Sequence, residues 1–381
     1  MRLCVVSGTF HPEPGGPPTF LYRLLPELIQ RGYSIHVITY GERDAPTDYP
    51  YAVTRISRRQ PIPFRLIQMS LTILRVAPDS DAIFISDYGL PVAVVNFILR
   101  KPTLLKNVGD FAWEFSTRHN WIPRGQTIDE FQIAPHSPRV NFLRAVQRWY
   151  TAAAATVIAP SQYSASLVTG WGIDSNRVRV IYNALDPMPN LSSHDQARRD
   201  LNINFPLILT IARLVPWKNV DKVIRAVMSV REKFPKARLI VIGDGPERAN
   251  LQSLLSNLGD AVTLLGAQPS HVVHRYLRAA DVFVLFSTYE GLPHTVLEAM
   301  QAETPVIVSD AGGNLEVVEN GISGYVVNKN DEAGLAAAIA DVIAHPESAA
   351  ARAKAASSSL DRFSWNHLVD GYDHALQELI A

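Results

Sequence analysis

Short apolar runs alternate with stretches of helical spacing along most of the chain, a pattern that predicts parallel strands joined by helical crossovers. In the first half the runs at 3–7, 35–39, 83–86, 103–106 and 156–159 read as strands. Between the first two, residues 19–31 place Leu21, Leu24, Leu25, Leu28 and Ile29 at helical spacing, with Gly32 where a C-terminal cap belongs. A second series begins near Pro206, with strands at 207–211, 239–242, 262–264, 282–285 and 306–308 and helices such as 220–234 between them. The segment "YNALDPMPNLSSHDQARRD" carries no apolar periodicity and reads as a linker, which sets a domain boundary near Asp186. The alanine-rich stretch 333–356 reads as helix.

A length of 381 residues exceeds what one hydrophobic core supports, so two domains are expected, 1–186 and 187–360. At 47% apolar and 19% charged residues the chain is globular rather than disordered. Charge is balanced overall but not by half: residues 1–185 hold 19 Lys/Arg against 13 Asp/Glu, and the remainder 17 against 23. The first half thus suits either an anionic partner or a solvated surface. A single cysteine, Cys4, excludes an intramolecular disulfide and reads as core. The opening "MRLCVVSGTF" reads as a first strand, not a signal peptide, and no apolar run reaches the length of a membrane span. A cytoplasmic protein, peripheral at most to the inner face of a membrane, is the expectation, with no nucleic-acid partner.

Three loops carry candidate chemistry. After the first strand, "HPEPGGPPTF" offers Gly15 and Gly16 for close backbone approach to a ligand at a helix start, where amides attract phosphate. In "TIARLVPWKNVDKVI", Arg213 and Lys218 follow a parallel strand at the end where open α/β sheets bind ligands, and two cations there suit a pyrophosphate. In "EGLPHTVLEAM", Glu290 and Glu298 can accept from sugar or ribose hydroxyls, and a helix starting near Pro293 would expose the amides of Thr295, Val296 and Leu297. Each motif alone also has a plain structural reading as a tight turn, solvated charges or helix-start glutamates.

Together with "GDGPERANL", "PSQYSASL" and "TPVIVSDAGGNLEVVENGISGYVV", these segments occur in an order that resembles family 4 glycosyltransferases of the GT-B fold, from Gly15 to Val327. The resemblance implies an α/β fold of two Rossmann-like domains facing across a deep cleft, with a C-terminal helix at about 361–381 packing back on the first domain. It implies retaining transfer of a hexose from a UDP- or GDP-sugar, held mainly by the second domain, to a glycan, lipid-linked or small-molecule acceptor. Arg213 and Lys218 would hold the pyrophosphate, Glu298 the ribose and Glu290 the sugar hydroxyls. Gly16 would approach the donor phosphates, Gly312 and Gly313 would form a tight loop beside the donor, and Gly243 and Gly245 a turn near the nucleoside. Neither a metal nor any other cofactor is implied, the nucleotide-sugar being a substrate.

One departure stands out: "KNVGDFAWEF" puts Gly109 where the family has a histidine, leaving Asp110 as a candidate carboxylate or a helix cap and His119 as a substitute. A literal D-x-D, Asp79-Ser80-Asp81, precedes a strand and so lies at the wrong edge of a sheet for a ligand. Two rival readings are a catalytically impaired sugar-nucleotide-binding protein, favoured by the missing histidine, and a Rossmann oxidoreductase, disfavoured by the lack of G-x-G-x-x-G in the first turn. Finally, in "TRISRRQPIPFRLIQMSLTILRVA" the residues Leu66, Ile67, Met69, Leu71, Ile73 and Leu74 form the buried side of a crossover helix, or else, with Arg55, Arg58, Arg59, Arg65 and Arg75, a membrane-facing one.

Overall fold

A computed structural model describes residues 1–42, 48–87, 89–188, 192–255 and 258–381. The chain divides into two compact units, one of Met1–Arg124, Glu130–Tyr182 and Asn366–Ala381, the other of Gly125–Asp129 and Asn183–Trp365. The chain passes between units at Tyr182 and Asn183, and the short segment Gly125–Asp129 belongs to the second unit, where Asp129 lies 3.7 Å from Lys329.

The first unit is built on strands β1 (Arg2–Ser7), β2 (Ser34–Tyr40), β3 (Ala52–Ile56), β4 (Ala82–Ile85), β5 (Thr103–Lys106), β6 (Thr156–Ala159) and β7 (Val178–Val180). They form one parallel sheet in the order β3-β2-β1-β4-β5-β6-β7. The second unit holds β8 (Leu207–Ile211), β9 (Arg238–Ile242), β10 (Val262–Gly266), β11 (Val282–Leu285), β12 (Val306–Ser309) and β13 (Tyr325–Val327), parallel in the order β10-β9-β8-β11-β12-β13. Helices cover both sheets, so the inner strands are buried and read as unbroken apolar runs. Three strands escaped the sequence pattern: β3, β7 and β13. All three are sheet edges, only partly buried, so nothing forces their sequences to be continuously apolar.

Local chemistry explains the helix limits. The first helix, Gly16–Gln30, starts earlier than its apolar stripe because Pro17 and Pro18 suit its opening positions. It ends in a Schellman arrangement: the Tyr33 amide donates to the Leu28 carbonyl (3.1 Å), that of Gly32 to Ile29 (2.9 Å), and Gly32 takes a φ of +89° that a side chain would resist. Residues 333–356 are not one helix but two, Glu332–Ala344 and Pro346–Ser358, because Pro346 cannot donate to the preceding turn. The linker carries a short helix, His194–Asp200, capped by the Ser193 hydroxyl, which accepts from the Gln196 amide at 3.2 Å; its residues 189–191 lie outside the described residues.

The C-terminal helix, Trp365–Glu378, completes the first unit. Arg31 donates to Asp370 (2.5 Å) and Asp373 (3.1 Å), the Tyr33 hydroxyl to Asp373 (2.6 Å), and the buried Tyr372 ring packs against Phe20 and Phe84. Among the described residues no helix is long and apolar enough to cross a membrane.

Candidate functional site

In the second sheet the chain turns left from β8 to β9 but later returns to place β11 on the right of β8. Ligands of open α/β sheets bind beyond the carboxyl ends of strands at such a reversal. The loops leaving β8 and β11 there carry Arg213, Lys218 and Glu290.

Their backbones are tied together. The Thr288 amide donates to the Trp217 carbonyl at 2.8 Å, and the buried Asn219 side chain donates to the Phe286 carbonyl at 3.0 Å. Asn219 holds a φ of +47°, a left-handed conformation asparagine tolerates, and ends the turn Pro216–Lys218 just before the helix Val220–Lys233 begins. That turn delivers the Lys218 ammonium to Glu290, 2.6 Å from its Oε1. The Ser287 hydroxyl donates to the same oxygen at 2.5 Å. Glu290 is buried, so its charge is sustained by these two donors; losing one partner of such a pair typically costs about 3–5 kcal/mol.

Arg213 behaves differently. It is exposed between buried Ala212 and Leu214, and its side chain has no hydrogen bond or ion pair among the described residues. A guanidinium held by a rigid loop and left without a partner is available to an anion. Gly243 and Gly245 are what make that loop rigid. The Leu214 amide donates to the Asp244 carbonyl and the Glu247 amide to the Leu214 carbonyl, both at 3.0 Å. A Cβ on Gly243, which has a φ of +138°, would lie 1.9 Å from the Ala212 carbonyl oxygen, and one on Gly245 would lie 2.3 Å from that of Leu214. Both glycines thus act on the arginine loop through backbone packing.

Beyond β11 the helix His294–Gln301 begins at Pro293. The expectation of three free amides is corrected: Val296 and Leu297 both donate to the Pro293 carbonyl, at 3.0 and 3.1 Å, leaving that of Thr295 without an acceptor among the described residues. The cause is a tight first turn, in which one carbonyl receives both the i+3 and the i+4 amides. Glu298 sits one turn on, mostly buried, its carboxylate without a hydrogen-bonding or charged partner among the described residues. Burial alone pushes its carboxyl up to about 6.

The loop after β12 packs under the same site. The Gly313 amide donates to the Glu290 carbonyl at 2.8 Å, and a Cβ on Gly313 would come within 2.3 Å of the Gly291 oxygen, so glycine is required there. Gly312 holds a φ of +49°. The buried Asn314 donates to Ser309, whose hydroxyl donates to the Ser287 carbonyl at 2.6 Å. Sequence reading passed over Ser287 and Ser309. The only local signal was Ser287 standing three residues before Glu290.

In the first unit, Gly15 precedes the opening helix with a φ of +137°, whereas Gly16 faces open space. Pro17 and Pro18 have no N–H, so Gly16 is the one donor among the first three helical positions. The loop leading there is held by Asp87, also unnoticed in sequence, which accepts from the Ser7 hydroxyl (2.9 Å), the Gly8 amide (2.6 Å) and the Thr9 hydroxyl (3.3 Å).

Asp110 is only 1% exposed and caps the helix Phe111–Arg118, accepting from the Trp113 amide at 3.0 Å and from Gln132 at 2.8 Å. Burial raises its pKa against these hydrogen bonds. It borders a cavity of about 540 Å³ shared with Arg144, Gln147, Arg148 and Trp171. His119, the other residue considered for the histidine absent at Gly109, ends that helix, stacks on Phe115 at 4.0 Å and lies near Trp121. Asp81 of the D-x-D accepts from the Arg2 amide at 2.7 Å, at the amino ends of β1 and β4.

These features define a two-unit α/β protein with a parallel, helix-covered sheet in each unit, and comparison with known proteins makes the class specific. Residues 14–188 match the family model described as Glycosyltransferase Family 4, and residues 193–359 that of Glycosyl transferases group 1. The chain belongs to the family 4 glycosyltransferases, with the GT-B fold. Similar proteins include the GDP-mannose-dependent alpha-(1-6)-phosphatidylinositol monomannoside mannosyltransferase of Mycolicibacterium smegmatis, 31% identical over 51% of this chain and 51% of its own. The D-inositol 3-phosphate glycosyltransferase of Rhodococcus jostii is 30% identical over 65% of this chain and 54% of its own. The chain spans about half the length of the curated relatives it matches. Among solved structures, Anabaena HepE in complex with UDP superposes with a TM-score of 0.77 at 22% identity, covering 99% of this chain and 100% of that one. Sucrose-phosphate synthase from Thermosynechococcus elongatus superposes equally well, with a TM-score of 0.77 at 20% identity over 99% of this chain and 98% of its own.

Proposed function

We propose that this protein is a retaining glycosyltransferase that moves a hexose from a UDP- or GDP-sugar to a glycan, lipid-linked or small-molecule acceptor, without a divalent cation. The observation that carries the reading is the exposed Arg213 side chain, unpartnered among the described residues and in the same loop as Lys218, which pairs with Glu290, at the reversal point of the second sheet. The names of the relatives support both bases: GDP-mannose for the mycobacterial enzyme and UDP for the HepE complex.

The chemical task is to stabilise a nucleoside diphosphate leaving group while the anomeric carbon gains positive character. Arg213 forks two phosphate oxygens, and Lys218 adds a compact charge that its pairing with Glu290 holds in place. Glu290 accepts from hydroxyls of the transferred sugar, and Glu298 from the ribose. Charge neutralisation by fixed cations is the work a metal does in other transferases. A front-face reaction assisted by donor phosphate oxygens needs no side-chain nucleophile.

Transfer or donor hydrolysis, measured after exhaustive EDTA treatment, tests the reading. Persistent activity in EDTA, with a fall of roughly 10²–10³-fold in Arg213→Ala, is expected. Loss in EDTA restored by magnesium or manganese overturns metal independence. Donor binding with neither hydrolysis nor transfer points instead to a binding protein that has lost turnover, the reading that Gly109 favours.

A further inference from the structure

The helices Ile62–Val76, Gly89–Leu99 and Pro138–Ala152 lie on connections that run in one direction along the first sheet, from β3 to β4, β4 to β5 and β5 to β6. Right-handed crossovers place them on the same face, and they pack side by side in that order. The outer side of such a layer is ordinarily polar. Here it is not. The first helix buries only Met69 and Ile73, while Phe64, Ile67 and Leu71 are exposed at spacings of three and four, one stripe on the opposite side. The reading of Ile67 and Leu71 as core is thereby corrected. Its neighbours continue the pattern, with Phe97 84% exposed beside Ile98, and Phe142 66% exposed.

Charge distinguishes what could cover this layer. None of the three helices contains an aspartate or glutamate. Arg75, Arg139 and Arg148 are exposed on them, and none of the three has an ion pair among the described residues. Of the other arginines singled out in the sequence, Arg55 donates to the His11 carbonyl at 2.8 Å, Arg58 donates to Glu13 at 2.8 Å and Arg59 lies 3.5 Å from Glu42; Arg65 rests over the Tyr40 ring, as the exposed Arg139 does over that of Trp121. A symmetric contact between two copies of this layer would set like charges together with no acid in the helices to offset them. An anionic sheet of lipid headgroups above an apolar interior matches both components.

We propose that this three-helix layer docks on an anionic lipid bilayer, the aromatic and aliphatic side chains entering the headgroup boundary and the arginines meeting lipid phosphates. The inference stands apart from the transfer reaction, and its test uses no turnover. The full chain is floated with vesicles of phosphatidylcholine alone or mixed with phosphatidylglycerol, at low and high salt. Two triple variants are compared, Phe64→Ser/Phe97→Ser/Phe142→Ser and Arg75→Gln/Arg139→Gln/Arg148→Gln, each checked by thermal melting. All six positions are exposed, so neither variant disturbs the core. Flotation with the anionic vesicles, weakened by salt, is expected. Partitioning should fall on the order of fivefold for each arginine removed, and the aromatic variant should lose flotation altogether. The proposal is overturned if the native chain stays at the bottom with anionic vesicles at low salt, if it floats as well with phosphatidylcholine alone, or if both folded variants float undiminished. A dimer seen by light scattering and abolished by the aromatic variant, without flotation, would assign the layer to a second copy instead.

Discussion

Glu298 carries a cost in the ligand-free protein that a single substitution should release. Its carboxyl is mostly buried, finds no hydrogen-bond donor or cation among the described residues, and is raised by burial from 4.5 to about 6. A group whose folded pKa is raised favours the folded state most where it is protonated in both states, below about 4.5, and that advantage is lost as the pH rises through 6. At neutral pH the buried carboxylate therefore opposes folding. One and a half units correspond to ~2 kcal/mol at 1.36 kcal/mol per unit. Glu298→Gln keeps the shape and removes the charge, so it should stabilise the second unit by about that amount above pH 7 and by almost nothing near pH 4.5, a rise in melting temperature of roughly 4–8 °C at the upper pH only. Differential scanning calorimetry across that range reads it directly. The same variant should bind nucleoside diphosphate more weakly, because ribose hydroxyls would supply the donors the carboxylate lacks; loss of affinity with gain of stability is the signature of a residue kept for function. A melting difference that does not grow with pH, or a variant less stable than the native protein at pH 7, would refute the reasoning.

Other consequences follow from the same loops. Lys218→Met or Glu290→Gln alone should destabilise by about 3 kcal/mol or more by leaving the partner group stranded, while the double variant should recover much of that loss; additive effects in urea denaturation would deny the coupling. Gly243→Ala places a methyl 1.9 Å from a carbonyl oxygen at a positive φ and should fold poorly, whereas Gly16→Ala meets open space and should melt normally. Lost transfer in a normally folded Gly16→Ala protein would then mark close ligand approach rather than misfolding. Asp81→Asn should leave transfer unchanged with or without added magnesium or manganese, since its carboxylate serves the Arg2 amide; a rate that falls only where the metal is present would make it a ligand.

Much of the architecture was legible along the chain because parallel strands covered by helices on both faces are apolar nearly throughout, and the nine inner strands announced themselves that way, joined by the edge strand β10, which keeps the pattern although half-buried. The ones that did not, β3, β7 and β13, are edges, where half-burial relaxes the pattern. Glycines and charged residues in the loops after β1, β8, β11 and β12 were likewise visible as motifs, since no secondary structure accounts for paired glycines or clustered charges at those places. What each does required tertiary contacts. Gly243 and Gly245 were legible as a turn, but only the packing shows that they also leave clearance for the arginine loop; Val296 and Leu297 looked like free donors and proved to be taken by Pro293. Helix Ile62–Val76 shows the limit most plainly. Its sequence is apolar around much of its circumference, so periodicity cannot say which stripe faces the sheet, and only packing decided that Met69 and Ile73 go inward and Phe64, Ile67 and Leu71 outward.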